Sequence, residues 1–257
     1  MKKDTIIGSV VILAAIVGLA VYALLNPMPA QAPTTIAPVD LPPGAYVEST
    51  QYYDIETYYA TSTPLLASAG AAADATAVAL MRSFVNDTIE QFKRDGNFAN
   101  LTEEDIRMMG YDQGRKQSLK IPYLIVLAPD TFAYVYTVYI DTLGAHGNMY
   151  FRMFNFNTST GDYLSLSDLF LPRSPYLETL SSKSRELLPS VIGEAADARM
   201  ITDGTKPEEA NFANFFLENT SLVLVFPPYQ VAAYAAGPQT LRIPLSDLAS
   251  ILKPEYR

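Results

Sequence analysis

Apolar and polar residues alternate from Thr131 to Asp141, where Phe132, Tyr134, Tyr136, Val138 and Ile140 share one face. A period of two predicts a β-strand. Residues 149–157 read as a second strand, and the Gly-containing connection 142–148 predicts that the two pair antiparallel. Residues 118–127 read as one strand ahead of the Pro129-Asp130 turn, and residues 46–59, rich in Tyr, Thr and Val, as the first. A longer period governs residues 74–96. There Val78, Met81, Val85, Ile89 and Phe92 recur every three or four positions, the stripe of an α-helix. Asp74 is its expected N-cap, Lys93 and Arg94 sit in its last turn, and Gly96 is expected just beyond it. Thr102 with Asp105 predicts a capping box and a short second helix that stops at Gly110.

Farther on, residues 166–170 predict a helical turn. Ser174 reads as an N-cap with Pro175 at the first helical position, and Leu177, Leu180, Leu187, Val191 and Ala195 as the inward face. Pro189 is expected to break or kink that helix near Leu188. A hairpin is predicted around Asn219-Thr220, with arms at 211–218 and 221–226. A proline- and aromatic-rich loop, a strand at 240–243 and a helix at 245–252 complete the chain. Antiparallel groups of strands with helices between them predict an α+β class, in two closely associated subdomains at 46–150 and 151–257.

Residues 6–25 carry no charge and no polar face, and Lys2 and Lys3 precede them. Twenty residues of helix span about 30 Å, the thickness of a bilayer's hydrocarbon core. Residues 1–26 are therefore expected to be a cytoplasmic stub and a single-pass transmembrane anchor. The lysine pair is expected to hold the N-terminus in the cytoplasm and the bulk of the chain outside the membrane. A cleaved signal peptide is the rival, with Ala30-Gln31-Ala32 as its cleavage site. Its apolar region is usually shorter, and Pro33 would follow the cut. Residues 27–45 hold six prolines and read as a semi-rigid tether.

Composition narrows the chemistry. With no Cys and one His among 257 residues, disulfides, thiol nucleophiles, cysteine metal sites and two-histidine metal sites are excluded. Apolar residues at 49% and charged residues at 18% suit a folded chain, and a net charge of −9 argues against a nucleic-acid partner. No Gly-x-Ser-x-Gly elbow is present, and the Gly144–Gly147 element lies between two strands, where phosphate cradling is not expected. Paired carboxylates for glycoside cleavage stay open, because sequence does not give their separation. No catalytic residue, metal or cofactor is assigned.

Two loops hold the candidate ligand-binding residues. Gly144, His146 and Asn148 lie in the strand connection. His146 reads either as a contact residue or as a ring bonded to its own loop backbone. Pro227, Pro228, Tyr229, Tyr234 and Gly237 lie in the second loop. There Pro and Gly shape the backbone, and Tyr offers a large amphipathic surface at little entropic cost. The alternative is that both tyrosines pack under the loop with their hydroxyls on backbone.

Three stretches resemble the bacterial extracytoplasmic family called domain of unknown function 3298 (DUF3298). They are Gly144-Ala145-His146-Gly147-Asn148, the run from Phe154-Asn155-Phe156 through Thr160-Gly161 to Asp168-Leu169-Phe170, and residues 226–237 followed by Ile243-Pro244. Asn157 stands where the family pattern has Asp. Tyr52 to Tyr59 and the helix near Phe92 resemble the family's N-terminal companion, domain of unknown function 4163. The family includes membrane-anchored anti-sigma factors that bind lysozyme and part of a peptidoglycan deacetylase. The resemblance implies a binding or sensing module at the cell wall, with lysozyme-type recognition by the two loops. The short stub and the end at Arg257 are expected to leave the sigma-factor and deacetylase functions out. The expected partner is a basic protein such as lysozyme, or alternatively cell-wall peptidoglycan glycan bound by tyrosine faces.

Overall fold

The alternating run at Thr131–Asp141 is the central strand of the molecule. It was located in a computed structural model that describes residues 44–64 and 70–257. The expected anchor at 6–25 and nearly all of the tether at 27–45 lie outside the described residues. Among the described residues no helix is long and apolar enough to cross a membrane. These residues belong to one compact unit, and the subdomain boundary expected at 150 falls inside a strand that pairs along its whole length.

Ten strands and five α-helices occur among the described residues. The strands are β1 (Ala45–Ser49), β2 (Tyr53–Tyr58), β3 (Gln117–Ile121), β4 (Tyr123–Leu127), β5 (Thr131–Asp141), β6 (Asn148–Asn157), β7 (Tyr163–Leu164), β8 (Phe215–Leu217), β9 (Ser221–Phe226) and β10 (Gln239–Pro244). The helices are α1 (Gly70–Gly96), α2 (Glu103–Met109), α3 (Tyr176–Ile192), α4 (Ala198–Gly204) and α5 (Leu245–Leu248). A seven-stranded sheet runs β1-β2-β3-β5-β6-β7 with β4 also on β5, and a three-stranded sheet runs β10-β9-β8. Every pairing is antiparallel except β2 with β3. The class is α+β, as the patterns require.

The period-two code sorts the layers. Phe132, Tyr134, Tyr136 and Val138 of β5 and Phe154 of β6 pack with Met81, Val85, Ile89 and Phe92 of α1. Their neighbours Ala133, Val135 and Met153 point the other way, onto Phe216, Val223 and Val225 of the small sheet. The far side of that sheet holds Leu222, Leu224, Leu241 and Ile243 against Leu180 and Leu188 of α3. Helix, sheet, sheet and helix thus stack around buried apolar layers.

Several elements depart from the patterns, each for a local reason. The expected first strand is a hairpin, because Thr50 Oγ1 accepts the N–H groups of Tyr52 and Tyr53 and turns the chain. The expected strand at 118–127 splits into β3 and β4. Both keep one register against β5, with Lys120 opposite Tyr139 and Tyr123 opposite Tyr136, and Pro122 between them has no N–H for the ladder. Asp74 lies inside α1, where its carboxylate accepts from the Thr63 backbone N–H at 2.7 Å instead of capping the helix. Gly96 is the last helical residue, where a side chain would meet the Phe98 ring, and Asn97 takes the left-handed position (φ 46°). The α2 capping box between Thr102 and Asp105 and the left-handed Gly110 are as expected.

Helix α3 starts one residue later than expected, with Pro175 and not Ser174 at the cap and no side-chain bond there. Its buried face is Leu180, Ser181, Ser184 and Leu188, while Val191 and Ala195 are exposed. Pro189 does not break it. Pro189 and Arg185, the residue whose carbonyl loses its donor, are both on the exposed face, and the helix ends within one turn anyway. The last helix stops at Leu248, because Leu252 instead forms a bridge with Phe170.

One polar cluster ties α1 to the first hairpin. Glu48 accepts hydrogen bonds from Lys93 Nζ (2.6 Å), the Tyr53 hydroxyl (2.5 Å) and the Tyr46 hydroxyl. Burial alone would raise its pKa, but the bonds from Lys93, Tyr46 and Tyr53 outweigh it and hold the carboxyl at about 2. A folded pKa below the ordinary value of 4.5 stabilises the fold above that pH, and the contribution is lost as pH falls through about 2. Glu48→Gln is expected to cost about 2 kcal/mol at neutral pH. In urea titrations the gap between wild type and variant should narrow steadily from pH 4.5 to pH 2.

Candidate functional site

The two candidate loops, some eighty residues apart in sequence, meet. The first is the β5–β6 connection. Asp141 Oδ1 accepts the Leu143 N–H at 2.8 Å, which lets Leu143 adopt φ 65° and turns the loop over. Gly147 is buried against Tyr139, where an added Cβ would lie 2.3 Å from the ring.

The second loop leaves β9 at Phe226. Pro227 O accepts the Gln230 N–H at 3.1 Å, Pro228 fills the second turn position, and Tyr229 has φ 72° in the third. This is the pattern of a type II turn, whose third position ordinarily takes Gly. A tyrosine held there carries strain, and the residue remains 57% exposed. Gln230 fixes the turn from behind. Its amide donates to Gly204 O and to Asn211 O, both at 2.9 Å. Gly204 in α4 lies so close beneath that a Cβ would sit 2.0 Å from Gln230 O.

The contact between the loops is a ring stack. His146 and Tyr234 lie with centroids 3.8 Å apart and planes 19° from parallel. The Tyr234 hydroxyl donates to Gly147 O at 2.7 Å. His146 Nδ1 lies 3.0 Å from the same carbonyl, and Nε2 lies 3.1 Å from the Tyr229 hydroxyl. A carbonyl only accepts, so Nδ1 carries the proton, and in the neutral ring Nε2 accepts from Tyr229. Gly147 O therefore takes two donors, one from each loop.

The His146 ring bonds its own loop backbone, the second of its two readings, and it also touches the second loop. Tyr234 is half-buried with its hydroxyl on backbone, the packing role, whereas Tyr229 stands out as the exposed ring. Gly144 is exposed with open space where a side chain would go. Asn148 opens β6 opposite Ile140 and is exposed. Pro227 and Pro228 shape the turn, and Gly237 (φ 68°) returns the chain to β10. Gly147 was no candidate contact residue and Gln230 and Gly204 were not singled out by sequence, though all three shape this geometry. Their signal was weak, because a buried carbonyl and a close backbone approach leave no pattern in side chains. Among the described residues no group of three or more His, Asp or Glu could hold a metal ion.

A family model described as "Protein of unknown function (DUF3298)" matches residues 167–246. This stretch is a DUF3298 domain. It includes the Tyr229–Tyr234 loop, while the His146 loop precedes it. The chain is 35% identical over 143 residues to the peptidoglycan-N-acetylmuramic acid deacetylase PdaC of Bacillus subtilis. That match covers 55% of this chain and 31% of PdaC, so the chain spans about a third of that relative's length. A DUF3298 family protein of Bacteroides fragilis shares the fold at 15% identity, with a TM-score of 0.53 over 81% of this chain and 91% of that one. Another from Pseudomonas aeruginosa aligns at 16% identity and a TM-score of 0.44, over 79% and 86%.

Proposed function

We propose that the two loops form one recognition site for a protein ligand outside the bacterial cell, held near the membrane by residues 6–25. The observation that carries this is the His146–Tyr234 stack, which fuses two distant loops into a single rigid surface topped by Tyr229. Exposed aromatics on a pre-shaped backbone suit recognition, because little entropy is lost on binding. A chain of net charge −9 attracts a basic partner, and a muramidase of the lysozyme type meets that description. A relative named for action on peptidoglycan supports a role at the cell wall. In this reading the chain binds and does not catalyse, and residues 46–150 act as the family's N-terminal companion domain.

The test is calorimetric titration of the full chain, in mild detergent, with hen-type lysozyme at low and at physiological salt. Specific binding survives physiological salt, whereas charge attraction alone disappears with it. Tyr229→Gly separates the two roles of that residue. Losing the ring should weaken binding about tenfold or more. Removing a side chain from a left-handed position should meanwhile raise stability by about 1 kcal/mol in thermal denaturation. Binding unchanged by Tyr229→Gly would refute the site.

A further inference from the structure

A groove of about 670 Å³ runs between α1 and the large sheet, and His146, Tyr229 and Tyr234 take no part in it. It exists because α1 covers the middle of the sheet but leaves part of β6 open. Tyr150 and Arg152 on that strand are exposed, while the next residue on the same face, Phe154, is buried. The helix supplies the opposite wall. Leu80 and Phe84 form an apolar row, and Asp87, Gln91 and Asp95 form a polar row one turn apart.

The polar groups are left with spare capacity. Asp87 accepts one long bond from Ser83 (3.3 Å), and Asp95 accepts one from Gln91 (2.6 Å). Each carboxylate has about four acceptor positions. Across the groove the Arg152 guanidinium lies 5.0 Å from the centre of the Phe154 ring. Among the described residues Arg152 makes no ion pair, although acidic residues outnumber basic ones 27 to 18 in the chain. Apolar rings from Phe84, Tyr150 and Phe154, an acceptor-rich row and a guanidinium without an ion pair together describe a ligand with an apolar ring face, several hydroxyl donors and one anionic group.

We propose that this groove holds a short saccharide chain bearing a carboxylate. The C–H face of a pyranose packs on Tyr150 and Phe84, its hydroxyls donate to Asp87 and Asp95, and its carboxylate meets Arg152 in a charge-assisted pair. The volume lies within the range of small-ligand sites. A peptide presents backbone donors and acceptors in equal number, which a row of acceptors matches less well.

The test titrates the full chain in mild detergent with three probes: N-acetylglucosaminyl-N-acetylmuramic acid, chitobiose, which lacks the carboxylate, and an acidic tetrapeptide. The carboxylated disaccharide should bind most tightly, and Arg152→Gln should weaken it about tenfold without changing the weaker binding of chitobiose. Asp87→Asn should weaken both sugars. Arg152 and Asp87 are exposed, so neither change threatens the fold. Equal binding of the two sugars, tighter binding of the tetrapeptide, or no binding of either sugar at about 10 mM would overturn the proposal.

Discussion

Tyr234→Ala is expected to weaken lysozyme binding about a hundredfold, the largest functional effect of any single change in the loops. Tyr234 is not the exposed contact; it is the residue through which the loops hold each other. Its ring covers His146 at 3.8 Å and lies 5.4 Å from the Tyr229 ring, and its hydroxyl bonds Gly147 O. Truncation removes the stack and one of the two donors on that carbonyl, so His146 loses its support and Tyr229 its neighbour. A loss of about 2–3 kcal/mol is typical of a residue at the centre of a recognition site, and it corresponds to this factor. Tyr234→Phe makes the comparison informative. It keeps the stack and gives up one hydrogen bond, while His146 Nδ1 still serves Gly147 O. Its cost should be about 1 kcal/mol, seen mainly in stability. Calorimetry on both variants checks the order: Ala far weaker than Phe, and Phe close to wild type.

Gly204→Ala is expected to destabilise the protein by about 2–3 kcal/mol, although it adds a single methyl group far in sequence from either loop. The new Cβ would lie 2.0 Å from Gln230 O and 3.0 Å from Val231 Cγ1. The first of these is backbone in a turn fixed by two bonds from the Gln230 amide, so the clash cannot be relieved by rotating a side chain. Either α4 or the turn must move, and overpacking of this kind costs about 1–3 kcal/mol. Denaturant unfolding measures the loss. Because Tyr229 precedes Gln230, the same change should also weaken lysozyme binding. Gly193→Ala is the control for a generic glycine effect at a helix end. Its φ of 69° carries strain, but its surroundings are open and it lies away from the turn.

Much of this arrangement was legible from residue patterns. The β5–β6 hairpin followed from alternation between Phe132 and Ile140, and α1 from the stripe Met81, Val85, Ile89 and Phe92. Both signals are long, and burial enforces them on every turn or pair. Shorter signals failed where one backbone group decided the outcome. Pro122 divided a strand by lacking an N–H, and Thr50 bent another by accepting two. Pro189 looked decisive but is exposed one turn from a helix end, where the lost bond matters least. The candidate residues Gly144, His146, Asn148, Pro227, Pro228, Tyr229, Tyr234 and Gly237 were visible as two unusual loops. That they touch was not visible, because the contact rests on the shared carbonyl of Gly147 and on tertiary stacking of β9 against the large sheet. The groove beside α1 was equally hidden. Asp87, Gln91 and Asp95 gain a common role only when the uncovered part of β6 is set opposite them.

The most direct test of the central claim is hydrogen–deuterium exchange of the full chain with and without lysozyme at physiological salt. One site built from two loops predicts that residues 144–148 and 227–237 become protected together, at the same ligand concentration, with the α1 groove unchanged. Protection of one loop alone, or protection confined to residues outside both, would contradict it.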